Sequence, residues 1–307
     1  MTNVQKNDIL KLIEDEKSRL GSYRAVAKKC GISEATISQL RSGAYTVDSD
    51  NMLDKIASAL GYQYNKEGWK IATDVEDFRN IFTVLNDAKK ASLFKGISDN
   101  AGCGKTTAAD AYLNLYKKQG VFKLNCREWS AGIFLTKLAN ELGISVPKGY
   151  VSVSDLIDLV CDAAKRMHSI KPLIILDQAN SLKFSALRTL IHIENECHGI
   201  LGVVILGTEN LEHEIKNGVR LNKPGYDEID SRFKRNYIKV LGVTMADCRK
   251  ICAINGVTGK TTQDEIFKNS NPVYRNTLSG KSIMVIKDKR RLQQAIINKL
   301  LDAEHYE

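Results

Sequence analysis

The stretch SDNAGCGKTT, residues 98–107, carries the residue types and spacing of a loop that cradles phosphates. Only small residues let several backbone amides converge on phosphate oxygens, and Gly102 and Gly104 supply them. Lys105 can reach the β- and γ-phosphates of a nucleoside triphosphate. The Thr106 hydroxyl can bind Mg²⁺, and the N-terminus of a following helix adds positive potential. Asn100, Ala101, Cys103 and Thr107 complete the candidate nucleotide-binding set with these four. One departure from G-x-x-x-x-G-K-T is clear: Asp99 stands in place of the first glycine. That position shapes the loop entrance more than the phosphate contacts.

A second constellation follows at LIILDQAN, residues 173–180. An apolar strand that ends in Asp177 can set that carboxylate beside Thr106, where it would help hold Mg²⁺. Nucleotide hydrolysis calls for an acid at the next position, and this chain has Gln178. An amide can orient the attacking water but cannot take its proton. General-base catalysis is worth roughly 10²–10⁴-fold, so slow turnover with intact binding is expected. A naturally slow ATPase and a Glu→Gln replacement that traps ATP both fit. Thr208, after GVVILG, is a candidate to orient that water, with Asn210 as the alternative. Arg232, in DSRFKR, is a candidate arginine finger for a neighbouring subunit's γ-phosphate; a solvated basic cluster with Lys234 and Arg235 is the other reading. The second TGKTT, residues 258–262, lacks a preceding strand and has Ile254 in place of a glycine, so it reads as a polar loop.

These residues need a scaffold, and the chain supplies a strand–helix alternation. Strands are expected at Leu93–Ser98, Val121–Asn125, Leu173–Asp177, Gly202–Thr208 and Tyr237–Leu241. Helices are expected at Thr106–Lys118, Ser130–Leu142, Ser154–Met167 and Phe184–Cys197. Such alternation implies an α/β fold with a parallel sheet covered on both faces. Before it, residues 6–20 have helical spacing, and SYRAVAKKCGISEATISQLRSG reads as helix, turn, helix. Gly31 suits the positive φ of the turn and Ser33 suits a helix N-cap. A further helix spans Asn51 to Leu60, a linker covers Gly61–Thr73, and an amphipathic helix follows. After Val243 the pattern is helical to the end, looser around Asn269–Gly280. Three units are therefore expected: a helix-turn-helix DNA-binding domain at 1–65, a nucleotide-binding core at 66–242, and a helical lid at 243–307.

The net charge of +9 over 307 residues favours acidic partners such as nucleic acid. The excess is spread out, +2 in residues 1–70 (11 Lys/Arg, 9 Asp/Glu) and +4 in residues 243–307 (11 against 7), so neither is a basic tail. No apolar run approaches the ~20 residues of a membrane helix, and MTNVQKNDIL lacks the apolar core of a signal peptide. A cytoplasmic, DNA-associated protein without membrane contact is expected. The seven cysteines and five histidines show no zinc spacing.

The phosphate loop, the Asp-terminated strand, the polar residue after the fourth strand and the Arg before the fifth resemble those of AAA+ ATPases. With the N-terminal helix-turn-helix, the layout resembles the family of the phage Mu B transposition protein. The likeness is carried by FRNIFTVLNDAKKASLFKGISDNAGCGKTTAA, IILDQANSL, GVVILGTENL and SRFKR. It implies an AAA+ P-loop ATPase core with a parallel sheet and helical lid, an all-α N-terminal domain, and ATP with Mg²⁺ between subunits. It also implies a homo-oligomer, a helical filament or a ring, that assembles on double-stranded DNA largely without sequence preference. That assembly would present its target DNA to a transposase, and hydrolysis would disassemble it. Members of that family usually have Glu where this chain has Gln178. Candidate DNA contacts are Lys117, Lys118, Arg127 and Lys148, and, on the second helix of the helix-turn-helix, Thr36, Ser38, Gln39 and Arg41, with Glu34 and Ala35 facing the groove and Ser42 near phosphates. Two alternatives remain open: an ATP-switched transcription regulator and a helicase-loader-like protein.

Overall fold

The computed structural model of the chain describes residues 3–45, 49–60, 69–277 and 280–305. The expected boundary between residues 65 and 66, and most of the expected linker, lie outside them. Five parallel strands form the central sheet: β1 (Phe94–Ser98), β2 (Val121–Asn125), β3 (Leu173–Asp177), β4 (Gly202–Gly207) and β5 (Tyr237–Ile238), in the order β2-β3-β4-β1-β5. Every residue of β3 and β4 is buried, as expected for strands covered on both faces. On one face lie α5 (Glu76–Ala91) and α6 (Lys105–Tyr116), which pack with Ile97, Val121, Ile175 and Val204. On the other lie α7 (Ala131–Glu141), α8 (Val153–Arg166) and α9 (Phe184–Cys197), which pack with Phe122, Ile174, Leu176 and Ile205. The register pairs Ser98 with Gly207 and Asn125 with Asp177, so the C-terminal ends of the strands form one rim.

Helices α10 (Glu209–Arg220) and α11 (Tyr226–Arg232) follow β4. Strand β4 stops one residue before its expected end because Thr208 becomes the N-cap of α10. Strand β5 is much shorter than the expected Tyr237–Leu241. Only Tyr237 and Ile238 pair with β1, and from Val240 the backbone turns to donate to the Asp99 carboxylate at 2.8 Å. The close fit of β5 on β1 needs Gly96: a Cβ there would lie 2.6 Å from the Tyr237 ring.

The region after Val243 departs from an all-helical pattern. Helices α12 (Met245–Ile254) and α13 (Lys260–Asn269) are followed by an antiparallel hairpin, β6 (Val273–Asn276) and β7 (Ser282–Val285), then α14 (Lys289–His305). The hairpin occupies the stretch read as loose: VYRN and SIMV are too short for helical periodicity and alternate across a ribbon. An isolated bridge between Val243 and Ile286 ties it to the end of the sheet domain. The second TGKTT ends as the start of α13, with Gly259 at its N-cap, and α12 precedes it.

The N-terminal residues form α1 (Asn3–Leu20), α2 (Tyr23–Cys30), α3 (Glu34–Ser42) and α4 (Ser49–Leu60). Gly31 closes α2 at φ +63°, and Thr36 N donates to the Ser33 side chain, the expected turn and cap. Ile9, Ile13, Val26, Ile37, Leu53 and Ile56 make a core of their own. Among the described residues, no helix is long and apolar enough to cross a membrane.

Candidate nucleotide site

At the strand rim, β1 runs into the phosphate loop and the loop into α6. Gly102 (φ +81°) and Gly104 (φ +93°) take left-handed conformations that L side chains rarely adopt. Lys105 is buried. Its Nζ donates to Asp99 O (2.8 Å), Asn100 O (2.9 Å) and Cys103 Sγ (3.2 Å), so the ammonium sits inside the loop. Thr106 and Thr107 line the adjacent cleft of about 350 Å³ with Ala101, Gly102, Cys103, Gly104 and Lys105.

Asp177, at the end of β3, lines the same cleft. Its Oδ1 accepts from Gln178 N at 2.9 Å. Its Oδ2 is buried without an aligned hydrogen bond; the nearest cation, Lys123 Nζ, is 3.1 Å away and also bonds Asp110 Oδ1 at 2.6 Å. A buried carboxylate oxygen with unmet acceptor capacity, in the same cleft as the exposed Thr106, fits Mg²⁺ held together with phosphate oxygens. Among the described residues, no three His, Cys, Asp or Glu side chains cluster to hold a metal alone. Cysteine chemistry is disfavoured too. Burial raises the Cys103 thiol despite Lys105, and burial together with Asp177 pushes Cys126 up to about 12, so both stay protonated.

Gln178 is exposed and left-handed (φ 56°, ψ 39°), and its side chain joins Asn180 and Thr208 on the cleft wall. Asn180 escaped the sequence reading, although it lies three residues after Asp177. Its Oδ1 accepts from Thr208 N at 3.1 Å, while Ser98 Oγ donates to Thr208 O at 2.8 Å. Side chains thus stitch the ends of β1, β3 and β4 together. Asn210, the alternative to Thr208, is exposed and is not part of the cleft wall.

The apolar end of the cleft also escaped the sequence reading. Trp69, Ile71 and Ala72, from the expected linker, line it with Val75 and Phe78, with Ile251 of α12 and with Leu292 of α14. Asn255 fixes the segment: it accepts from Lys70 N at 2.8 Å and donates to Lys70 O at 3.0 Å. The legible signal was a tryptophan in an otherwise polar run. From the lid, Lys289 and Arg290 line the phosphate end, and Lys289 Nζ lies 3.0 Å from Asp77.

Other candidates lie elsewhere. Arg232, at the end of α11, donates to Asn195 Oδ1 at 2.6 Å and pairs with Glu194 at 3.0 Å, outside its own chain's cleft. On α3, Glu34, Ala35, Ser38 and Gln39 are exposed; Thr36 Oγ1 bonds Ser33 Oγ, and Ser42 Oγ donates to Gln39 O. Arg41 turns back to Glu14 (2.6 Å) and stacks over Tyr23. Lys117 and Lys118 pair with Asp15 of α1 at 3.5 and 2.5 Å, which fixes helices against the sheet domain. Arg127 and Lys148 are exposed.

Comparison with known proteins bears on the fold. Residues 99–215 match the AAA domain family. The solved structure of Cdc6p from Pyrobaculum aerophilum is similar at a TM-score of 0.50 and 15% identity, over 76% of this chain and 62% of that one. The Aeropyrum pernix ORC2 protein, in ADPNP–ADP complexes, matches at a TM-score of 0.41 and 13% identity, over 67% of this chain and 59% of that one. The chain thus spans about three fifths of the length of the solved structures it matches. No curated protein matches it. The fold of the chain is the α/β AAA+ P-loop fold.

Proposed function

We infer that the protein is a slow, Mg²⁺-dependent ATPase that binds duplex DNA largely without sequence preference, assembles on it as a filament or ring, and presents it to a transposase. The observation that carries the ATPase part is the cleft itself. It runs from an apolar end at Trp69 and Phe78 to Lys105, and it contains a buried Asp177 oxygen with no aligned hydrogen bond. Bound Mg²⁺ would neutralise phosphate charge there. Lys105 would exchange its loop carbonyls for phosphate oxygens, and Asp177 with Thr106 would hold the metal. Gln178 would orient the attacking water, with Thr208 beside it, without accepting the proton. Arg232 lies away from its own cleft, which supports a role on the γ-phosphate of a neighbouring copy once Glu194 and Asn195 release it. The basic net charge supports backbone-dominated DNA contact; the exposed face of α3 carries Glu34, and Glu14 holds Arg41, so that face adds little to it.

Gln178→Glu is expected to raise ATP turnover by roughly 10²–10⁴-fold and to shorten the life of DNA complexes. Unchanged turnover would refute the assignment of this position. Lys105→Ala is expected to weaken ATP binding by roughly 10- to 100-fold, the loss of charge-assisted hydrogen bonds, and to abolish assembly. Gel shifts on random-sequence duplexes test the DNA part. Binding that needs ATP, grows with duplex length and falls with salt is expected. Tight nucleotide-independent binding to a single operator would favour a transcription regulator instead. Electron microscopy of the ATP–DNA mixture should show ordered oligomers, and their absence would rule out the filament.

A further inference from the structure

Asp99 occupies the place that a G-x-x-x-x-G-K-T loop gives to its first glycine, and its partners show what the exchange accomplishes. The side chain is fully buried. Oδ1 accepts from Asn100 N (2.7 Å) and Asn100 Nδ2 (3.1 Å), and Oδ2 accepts from Val240 N (2.8 Å). Arg275 Nη2 donates to both oxygens, at 3.1 and 3.3 Å. Arg275 Nη1 donates to Val240 O and Leu241 O. A buried carboxylate persists only when donors meet its lone pairs. Here they come from the loop itself, the end of β5 and the lid hairpin.

The chain of contacts continues into the phosphate loop. The backbone carbonyl of the same Asp99 accepts from Lys105 Nζ. A second lid contact lies further along, where Lys289 N donates to Gly102 O at 2.9 Å. Arg275 itself does not line the cleft, and its Nη1 and Nη2 donors are taken up by Asp99 and two carbonyls. It is therefore badly placed to touch a phosphate and well placed to fix the residue that Lys105 leans on.

We propose that Asp99 and Arg275 are a lid-to-loop positioning pair, through which the hairpin β6–β7 sets the affinity of the phosphate loop for a nucleoside triphosphate without touching it. The proposal rests on the cleft being the ATP site. Glycine at position 99 could not serve, because it has no carboxylate for the lid to grip.

The test uses the full chain, amide hydrogen exchange without nucleotide, and Mg-ATP binding. Asp99→Asn and Arg275→Met should each raise exchange across 273–276 and 282–285 and weaken Mg-ATP binding by roughly tenfold. Arg275→Lys, which keeps the charge but loses the planar fork, should recover only part of that loss. The combination of Asp99→Asn with Arg275→Met should be no weaker than the worse single variant, within roughly twofold, because the two act through one contact. Asp99→Gly should behave like Arg275→Met; if it does not fold, the near-isosteric Asp99→Asn carries the comparison. Faster exchange with unchanged ATP affinity would make the pair merely structural and overturn the proposal, as would single effects that multiply in the double variant. If the unaltered chain binds no Mg-ATP, the reading of the cleft falls and the proposal with it. If the unaltered chain binds and the variants bind equally well, the pair alone is refuted.

Discussion

Helices α1–α4 bury Ile9, Ile13, Ile37 and Ile56 in a core of their own, whereas the lid residues Cys248, Ile251, Phe267, Ile286 and Leu292 share one core with α5, α6 and the sheet. The two attachments differ in kind. The N-terminal helices meet the sheet domain mainly through polar contacts: Arg19 bonds Glu141 and Val121 O and stacks over Phe122, Lys29 bonds Glu141, Glu16 of α1 holds both cations, and Leu20 adds an apolar contact. The lid meets it through apolar burial plus the Asp99–Arg275 pair. Apolar burial is non-directional and cooperative, while a buried ion cluster depends on every partner being present. The lid is thus an integral wall of the cleft, and the N-terminal helices have a core of their own and a largely polar joint.

Large core truncations should expose the difference most. Phe267→Ala should cost about 3–5 kcal/mol, and thermal unfolding should show the lid and the ATP-binding core failing together. Ile37→Ala should cost about 2–5 kcal/mol but shift only an N-terminal transition, with Mg-ATP affinity retained. A single shared shift for both variants would erase the distinction.

Breaking the joint should have the next largest effect. Arg19→Met leaves Glu16 and Glu141 with Lys29 alone, and removal of one partner from a buried pair costs about 3 kcal/mol or more. Thermal unfolding should then show the N-terminal transition moving down, with Mg-ATP affinity unaffected.

Acid should act on the same joint. Burial pushes the Glu16 carboxyl up, but Arg19 and Lys29 outweigh it and leave it below its ordinary 4.5. A depressed folded-state value means the stabilisation is fully present above the unfolded value and is lost as pH falls through the folded one. The N-terminal transition should therefore begin to move down only below about pH 4.5, and this acid effect should be weakened in Arg19→Met.

The smallest effect belongs to the rim of the joint. Lys118 is more than half exposed in its pair with Asp15, and such pairs are worth about 0–1 kcal/mol and fade with salt. Lys118→Ala should shift the N-terminal transition little, and raised salt should cancel what change there is.

Much of this arrangement was legible in the sequence, and the gaps have physical causes. Strands β2 and β3 and helix α9 have the limits that apolar spacing predicts, because fully covered strands and amphipathic helices write their burial into residue order. The loop between β1 and α6 was legible because its two left-handed positions favour glycine. Positions that act through distant partners were not. Asp99 reads locally as a flawed glycine site, Asn180 as a polar residue after a strand, and Trp69–Ala72 as linker. Arg41, Lys117 and Lys118 read as free cations until Glu14 and Asp15 are brought beside them.

The sequence by itself determined the parallel α/β core, a left-handed glycine loop between its first strand and the helix that follows, and an amide at Gln178 next to Asp177. These follow from local spacing, backbone permission and side-chain chemistry. Only the tertiary structure decided that the lid carries a hairpin, that the entry segment forms the apolar end of the cleft, and that Arg275 grips the phosphate loop at Asp99 across 176 positions. Those outcomes depend on which buried donors meet which acceptors, and pairing at long range leaves no periodic trace along the chain.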